Sequence, residues 1–384
     1  MKIIIGPAAE GEFYFDRPYL DELFWKKLKE SHNLSIAAPR RVGKSSFMIN
    51  LLKNDKEGYF CAYIITESIN EPNEFFKKLY KTLIGLLNKS GKFKQFFEDL
   101  FRRLDIKKIS LTEIEFGHNE IDYYSEILLL CKEIKETDKK IVLLIDEFSQ
   151  TVENIITDQS KETAKNFLHQ CREIRQSPDV KSKISFVYTG SIGLENLVLS
   201  IDEPRSISDL GHFTIPPLSE EEARQLITQI IDGDNIHFSK NDQEYFLDKL
   251  NWLLPYFIQV MMSEIEGLCR QKNKETVSRE IIDEAFTKAL DNRSYFEHWL
   301  VRLRSIFKGN EFSCAKEVLK TAAVKNGLDY YELQDAIAKF NIEDPAPLIN
   351  ILQHDGYLVK DETNRKYRFN SPLLQAWWHK NIVI

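Results

Sequence analysis

Nine residues, Ala38-Pro39-Arg40-Arg41-Val42-Gly43-Lys44-Ser45-Ser46, constrain this chain more than any other stretch. They follow a short apolar segment, Leu34-Ser35-Ile36-Ala37, that reads as a buried strand. They lead into Ser45 to Leu52, where Phe47, Met48, Leu51 and Leu52 recur at helical spacing. A strand, a tight loop and a helix in that order aim backbone N–H groups and a helix N-terminus at one spot, which suits a polyphosphate. In such a loop the Lys44 ammonium reaches the β- and γ-phosphates, the Ser45 hydroxyl suits Mg²⁺, and Gly43 allows close backbone approach. The usual pattern, G-x-x-x-x-G-K-[ST], has glycine where this chain has Ala38. Alanine is the mildest replacement, costing only the left-handed conformations.

A second feature agrees with the first. Ile141-Val142-Leu143-Leu144-Ile145 is a continuous apolar run, the signature of a parallel strand buried on both faces, and Asp146-Glu147 follows it directly. Asp146 then stands at the carboxyl edge of the sheet, where ligands bind in open α/β folds, and holds Mg²⁺ through water. Glu147 polarises the attacking water. An Asp-Glu pair after a buried strand is ordinary surface chemistry by itself; its agreement with the loop upstream gives it weight. A third strand, Lys183 to Tyr188, runs into Thr189-Gly190-Ser191. Thr189 and Ser191 are candidates to bond a γ-phosphate or the lytic water, although this triplet is also common turn chemistry.

With 384 residues the chain is too long for one ordinary core, so two or three domains are expected. Its 43% hydrophobic and 29% charged content is that of a globular protein. The net charge of −7 gives no general polyanion-binding signature. No apolar run approaches the roughly 20 residues of a membrane span. The opening residues Met1 to Pro7 lack a signal-peptide pattern. Cys61, Cys131, Cys171, Cys269 and Cys314 are odd in number and include no C-x-x-C, so they read as reduced, buried thiols of a cytoplasmic protein.

Residues 1–217 alternate strand-like and helix-like segments, which predicts a parallel sheet covered by helices. Further strands are expected at Tyr59–Ile65 and His212–Ile215. Ser219 to Glu222 has a capping-box pattern and opens an all-α stretch, 218–293. Residues 294–384 follow as a third domain. Within it, helical segments from about Phe312, at Tyr330–Phe340 and at Pro345–His354, precede two short strands around a polar turn, the order of a winged helix. The third of these helices carries Asp344, Asn350, Gln353, His354 and Asp355 and no Lys or Arg. Sequence-specific DNA reading by it is not expected. The wing has Lys360, Arg365, Lys366 and Arg368, which leaves weak backbone contact open. Lys89 to Lys108 is basic and carries Phe93, Phe96, Phe97 and Phe101. That spacing reads first as the core face of a helix with solvated lysines and only second as a nucleic-acid surface.

Several stretches recur together in one known group. These are Phe15-Asp16-Arg17, the loop from Pro39 to Ser46, Ile145-Asp146-Glu147-Phe148, Thr189-Gly190-Ser191, Pro217 to Ala223, Pro255-Tyr256 and Arg368 to Leu374. On them the chain resembles, nearly end to end, bacterial and archaeal P-loop ATPases of the AAA+ superfamily. The branch is the one shared by STAND signalling ATPases and the archaeal ATPases related to origin-recognition proteins. The resemblance implies that Pro39, Arg40, Arg41, Val42, Gly43, Lys44, Ser45 and Ser46 hold ATP. It implies that Arg17 helps close the pocket, although Asp16 replaces the expected glycine. Pro255 then packs near base or ribose, with Leu253 where a glycine is expected. Arg205 stands where such proteins place an arginine that contacts a neighbour's γ-phosphate; a plain surface arginine is the equal alternative. The implied protein is a slow ATP-hydrolysing switch that uses Mg²⁺, shifts between ATP and ADP states, and acts on an unidentified protein partner or by self-association. The alternatives are a DNA-associated ATPase of the transposition or replication type and a catalytically silent nucleotide-binding scaffold.

Overall fold

The computed structural model describes residues 1–54, 56–89, 108–109, 114–115, 121–134, 139–190, 193–232, 236–342, 344–363 and 365–383. Phe93, Phe96, Phe97, Phe101 and Ser191 lie outside the described residues. Two compact units are formed, Arg17–Ala37 with Phe47–Thr214, and Met1–Asp16 with Ala38–Ser46 and Ile215–Ile384.

The first unit is built on five parallel strands: β1 (Leu34–Ala37), β2 (Tyr59–Ile65), β3 (Lys140–Asp146), β4 (Ile184–Thr189) and β5 (Gly211–Thr214). Their order across the sheet is β2-β3-β4-β1-β5. Register sets Ile64 beside Ile145, Ile145 beside Tyr188, and Ile36 beside Thr189. The apolar run in β3 is explained by its position: Val142, Leu143, Leu144 and Ile145 are each wholly buried, because helices cover both faces. The covering helices are α1 (Pro18–Ser31), α2 (Lys44–Lys53), α3 (Pro72–Lys89), α4 (Tyr123–Glu133), α5 (Phe148–Asp158), α6 (Lys161–Gln176) and α7 (Leu194–Ser200). Only the part of α2 from Phe47 onward belongs to this unit. Aromatic rings fill the layers. Phe148 lies 4.3 Å from Tyr188 and Phe75 5.0 Å from Phe167 by ring centroid, while Phe24, Phe47 and Phe213 form a second group. A Phe–aromatic contact of this kind adds about 0.5–1.5 kcal/mol beyond its burial.

A buried arginine is paired in this unit. Arg175 of α6 donates from Nε and Nη2 to the two carboxylate oxygens of Asp209, each at 2.8 Å. Nη2 also donates to the Ser206 carbonyl at 2.7 Å. The pair ties the short turn Pro204–Ile207 to the helix layer.

The second unit is helical: α8 (Glu220–Ile231), α9 (Lys240–Leu250), α10 (Pro255–Lys272), α11 (Arg279–Asp291), α12 (Glu297–Ile306), α13 (Gly309–Lys325), α14 (Tyr330–Ala338), α15 (Ala346–His354) and α16 (Pro372–Trp378). Between α15 and α16 runs an antiparallel hairpin of β6 (Leu358–Asp361) and β7 (Lys366–Phe369). The expected capping box is present: Ser219 Oγ accepts from the Glu222 N–H, and Glu222 accepts from the Ser219 N–H. Trp299, Tyr357, Trp377 and Trp378 make the core of the C-terminal part.

Two side chains correct the reading from sequence. Asp355 is not a surface acid at the end of α15; it is buried and bonded by Arg302 Nε at 3.0 Å. Cys61 is half-buried, while Cys131, Cys171, Cys269 and Cys314 are buried, and all five are free thiols. Among the described residues no helix is long and apolar enough to cross a membrane.

Removing Asp209 leaves the Arg175 charge buried without its carboxylate. Asp209→Ala should destabilise the protein by about 3–5 kcal/mol. Denaturant unfolding followed by tryptophan fluorescence measures this. A change below about 1 kcal/mol would show that the pair is solvated and carries little.

Candidate functional site

The loop Ala38–Ser46 belongs to the helical unit. It leaves β1 and closes at Lys44, the first residue of α2, a helix of 10 residues. Arg41 has φ +66° and Gly43 φ +101°. Gly43 is followed by helical Lys44, the kind of alternation that turns successive N–H groups to one side. An added Cβ at Gly43 would meet only Ser46 Cβ, 4.0 Å away, so backbone conformation and not space requires the glycine. Ala38, Asp16 and Leu253, the three residues standing where the family pattern has glycine, all have negative φ. None of them demands glycine conformationally, so these departures carry no strain.

Lys44 is 8% exposed, and its Nζ donates to the carbonyls of Ala38 at 3.0 Å and Pro39 at 3.3 Å. The ammonium therefore sits on its own loop. Ser46 Oγ accepts from the Ala9 N–H at 2.8 Å, tying the N-terminal segment to the start of α2. Val42 is buried. Arg41 stacks over Tyr256 at 4.7 Å, donates from Nε to His298 Nε2 at 3.1 Å, and donates from Nη1 to the Gly6 carbonyl at 2.9 Å. Pro255 is the first residue of α10, its ring replacing an N–H that needs no partner there, and Tyr256 follows it. Pro39 Cβ lies 3.3 Å from where a Cβ on Gly356 would stand, and Trp252 closes the other side at 2.5 Å. Gly356, at φ +85°, has neither the room nor the backbone for a side chain.

In the sheet unit, Asp146 ends β3 and is 3% exposed. Its Oδ2 accepts from Tyr63 OH at 2.6 Å, and its Oδ1 accepts from Thr189 Oγ1 at 2.5 Å and from the Glu147 N–H at 3.0 Å. Asp146, Thr189 and Glu147 are thus brought together at the carboxyl ends of β3 and β4. Glu147 has φ +57° and ψ +33°, a left-handed position costing a non-glycine residue about 1–2 kcal/mol. Strain of this sort persists where surroundings enforce it and is common at functional sites. Gly190 permits a close approach: a Cβ there would lie 2.7 Å from Ser149 Cβ on α5. Arg17 is the N-cap residue of α1 and makes no side-chain capping hydrogen bond there. Arg205 is exposed on the turn that Arg175 anchors.

Four participants had roles that no local signal in the sequence announced. Tyr63 lies 83 residues from Asp146, and His298 lies 257 residues from Arg41. Tyr256 was visible only as the neighbour of Pro255, and Gly356 was not singled out.

No protein-family model and no curated protein matches the sequence. Solved structures do match. The Walker-type ATPase of Pyrococcus abyssi has a TM-score of 0.64 at 16% identity, covering 97% of this chain and 98% of that one. The ORC2 protein of Aeropyrum pernix, in ADPNP–ADP complexes, has a TM-score of 0.54 at 11% identity, covering 99% and 96%. The fold is shared with these two proteins, the first of them a Walker-type ATPase. At these identities the likeness is one of fold, and the chemistry must be argued from the residues.

The chemistry of the loop suits a polyphosphate. The loop ends at a helix N-terminus with a lysine beside it, which suits phosphate. Ser45 in the helical unit and Asp146 in the sheet unit each carry a hard oxygen donor of the kind Mg²⁺ prefers.

Gly190→Ala should force β4 away from α5 and cost about 1–3 kcal/mol, the usual penalty of overpacking. Adding Ser149→Gly, which removes the opposing Cβ, should recover most of that loss. Thermal melts of the single and double variants check this, and a double variant no better than Gly190→Ala alone would contradict the packing argument.

Proposed function

We propose that this chain binds ATP with Mg²⁺, hydrolyses it slowly, and serves as a switch whose output is a protein contact or an assembly. The observation that carries this reading is the loop Ala38–Ser46, with Gly43 at positive φ and Lys44 opening a helix, in a chain that shares its fold with a Walker-type ATPase. The loop N–H groups and Lys44 bind the phosphates. Lys44 can exchange its carbonyl partners for phosphate oxygens, a charge-assisted and stronger bond. Ser45 and Asp146 hold the Mg²⁺, which when bound neutralises phosphate charge. Glu147 takes the proton of the attacking water, and Thr189, bonded to Asp146, orients the water or the γ-phosphate. Pro39, Arg40, Arg41, Val42 and Ser46 complete the nucleotide set, with Arg17 and Pro255 at its margins. Arg205 acts in trans in this reading, which makes self-association part of turnover.

In domain terms we read residues 1–217 as the nucleotide-binding domain, 218–293 as its lid and 294–384 as a winged helix. The STAND-like branch and a cytoplasmic setting go with this reading. A DNA-reading role is not favoured by the chemistry of α15. That helix buries Leu348, Ile349 and Leu352 and has no Lys or Arg among its residues. Its candidate acids are fewer than the sequence suggested, since Asp355 is tied to Arg302.

Two variants test the assignment. Lys44→Ala should abolish thermal stabilisation by Mg-ATP; stabilisation equal to wild type would place the site elsewhere. Glu147→Gln keeps shape but cannot accept a proton. It should retain ATP affinity and lose turnover by roughly a hundredfold. Phosphate release under single-turnover conditions, read beside equilibrium binding, separates the two. Equal loss of binding and turnover would count against a general base at Glu147, and unchanged turnover would remove it from the chemistry.

A further inference from the structure

Arg41 is the one phosphate-loop residue other than Gly43 at positive φ, and its side chain is held entirely by groups outside the loop. Three separate parts of the helical unit supply them. Gly6 of the N-terminal segment accepts from Nη1, Tyr256 of α10 lies under the guanidinium, and His298 of α12 accepts from Nε. These partners are themselves fixed. Tyr256 OH donates to the Tyr295 carbonyl at 2.8 Å and its ring meets His298 edge-on at 5.6 Å. The segment around Gly6 is anchored by the Ile4 N–H on Gln259 Oε1 and the Ala9 N–H on Ser46 Oγ, both at 2.8 Å.

We propose that Arg41, Tyr256 and His298 form a latch that holds the phosphate loop in its binding conformation, so that α12 and the N-terminal segment set nucleotide affinity. This rests on the nucleotide reading above. A left-handed arginine relaxes unless its surroundings hold it, and relaxation at Arg41 would turn the loop N–H groups away from a common point. The latch needs His298 as an acceptor, hence neutral with its proton on Nδ1. Burial, and then the charges of Arg41 and Arg40, lower its pKa to about 2, so the imidazole keeps its Nε2 lone pair at any physiological pH. Tyr256 and His298 are positioning residues in this scheme: they act on phosphate through Arg41.

The test uses the full chain and reads two quantities, amide exchange at residues 39–44 without nucleotide and the equilibrium affinity for Mg-ATP. His298→Leu keeps bulk and removes the acceptor. It should speed exchange in the loop and weaken Mg-ATP binding by roughly tenfold, the loss of one charge-assisted hydrogen bond. His298→Gln restores an acceptor oxygen and should recover most of both. Arg41→Lys, which keeps the charge but not the fork, should behave like His298→Leu and serves if the leucine variant does not fold. Unchanged exchange and affinity in His298→Leu overturns the latch. Equal losses in the Leu and Gln variants also overturn it, because packing alone would then explain them. Should the wild type bind no ATP, the nucleotide reading falls, while loop exchange in the same variants still decides whether the latch exists.

Discussion

A parallel sheet covered on both faces leaves its strand ends as the places where polar chemistry can survive, and this constraint shapes the sheet unit. Val142 to Ile145 are sealed in hydrocarbon, and the first residue that can carry charge is Asp146, at the carboxyl end of β3. Tyr63, Thr189 and the Glu147 N–H all donate to this buried carboxylate, so it is hydrogen-bonded where water is excluded. Its backbone carbonyl is used as well, accepting from the N–H and hydroxyl of Thr66. Each bond crosses between strands or between a strand and the loop after it. Register therefore fixes the site, and a one-residue slip of β3 would turn Asp146 to the other face.

The helical unit meets a different constraint. Its phosphate loop has positive φ at Arg41 and Gly43, a conformation that a short loop does not hold unaided. Bracing comes from residues distant in sequence. Gly356 packs close to Pro39, and Gly6, Tyr256 and His298 bear on Arg41. The C-terminal part thus has a structural reason to respond to the loop. Its own core is tied by polar bonds: Tyr357 OH donates to the Trp299 carbonyl at 2.6 Å, and Arg302 Nε donates to Asp355 at 3.0 Å.

How much of this could be read from the sequence depends on how local each signal is. The loop, the apolar run before Asp146 and the capping box at Ser219 are encoded within a few residues and were legible as such. Helix ends moved by one or two residues, as at Ala338, because termini are set by caps and packing that periodicity does not register. Gly190 read as turn chemistry, whereas its need comes from Ser149 on another element. Asp355 read as a surface acid because nothing near it in sequence announces Arg302. Tyr63, Gly356 and His298 were invisible for the same reason: their roles exist only once distant segments meet. The missing glycines at Ala38, Asp16 and Leu253 weakened the pattern on paper. The backbone explains why they need not, since each has negative φ.

Everything functional in this account depends on one molecule binding at the phosphate loop. Isothermal titration of ATP into the purified chain, with and without Mg²⁺, measures that directly. The account predicts saturable binding of one ATP per chain that strengthens when Mg²⁺ is added. No measurable binding under either condition, or binding indifferent to Mg²⁺, would contradict it.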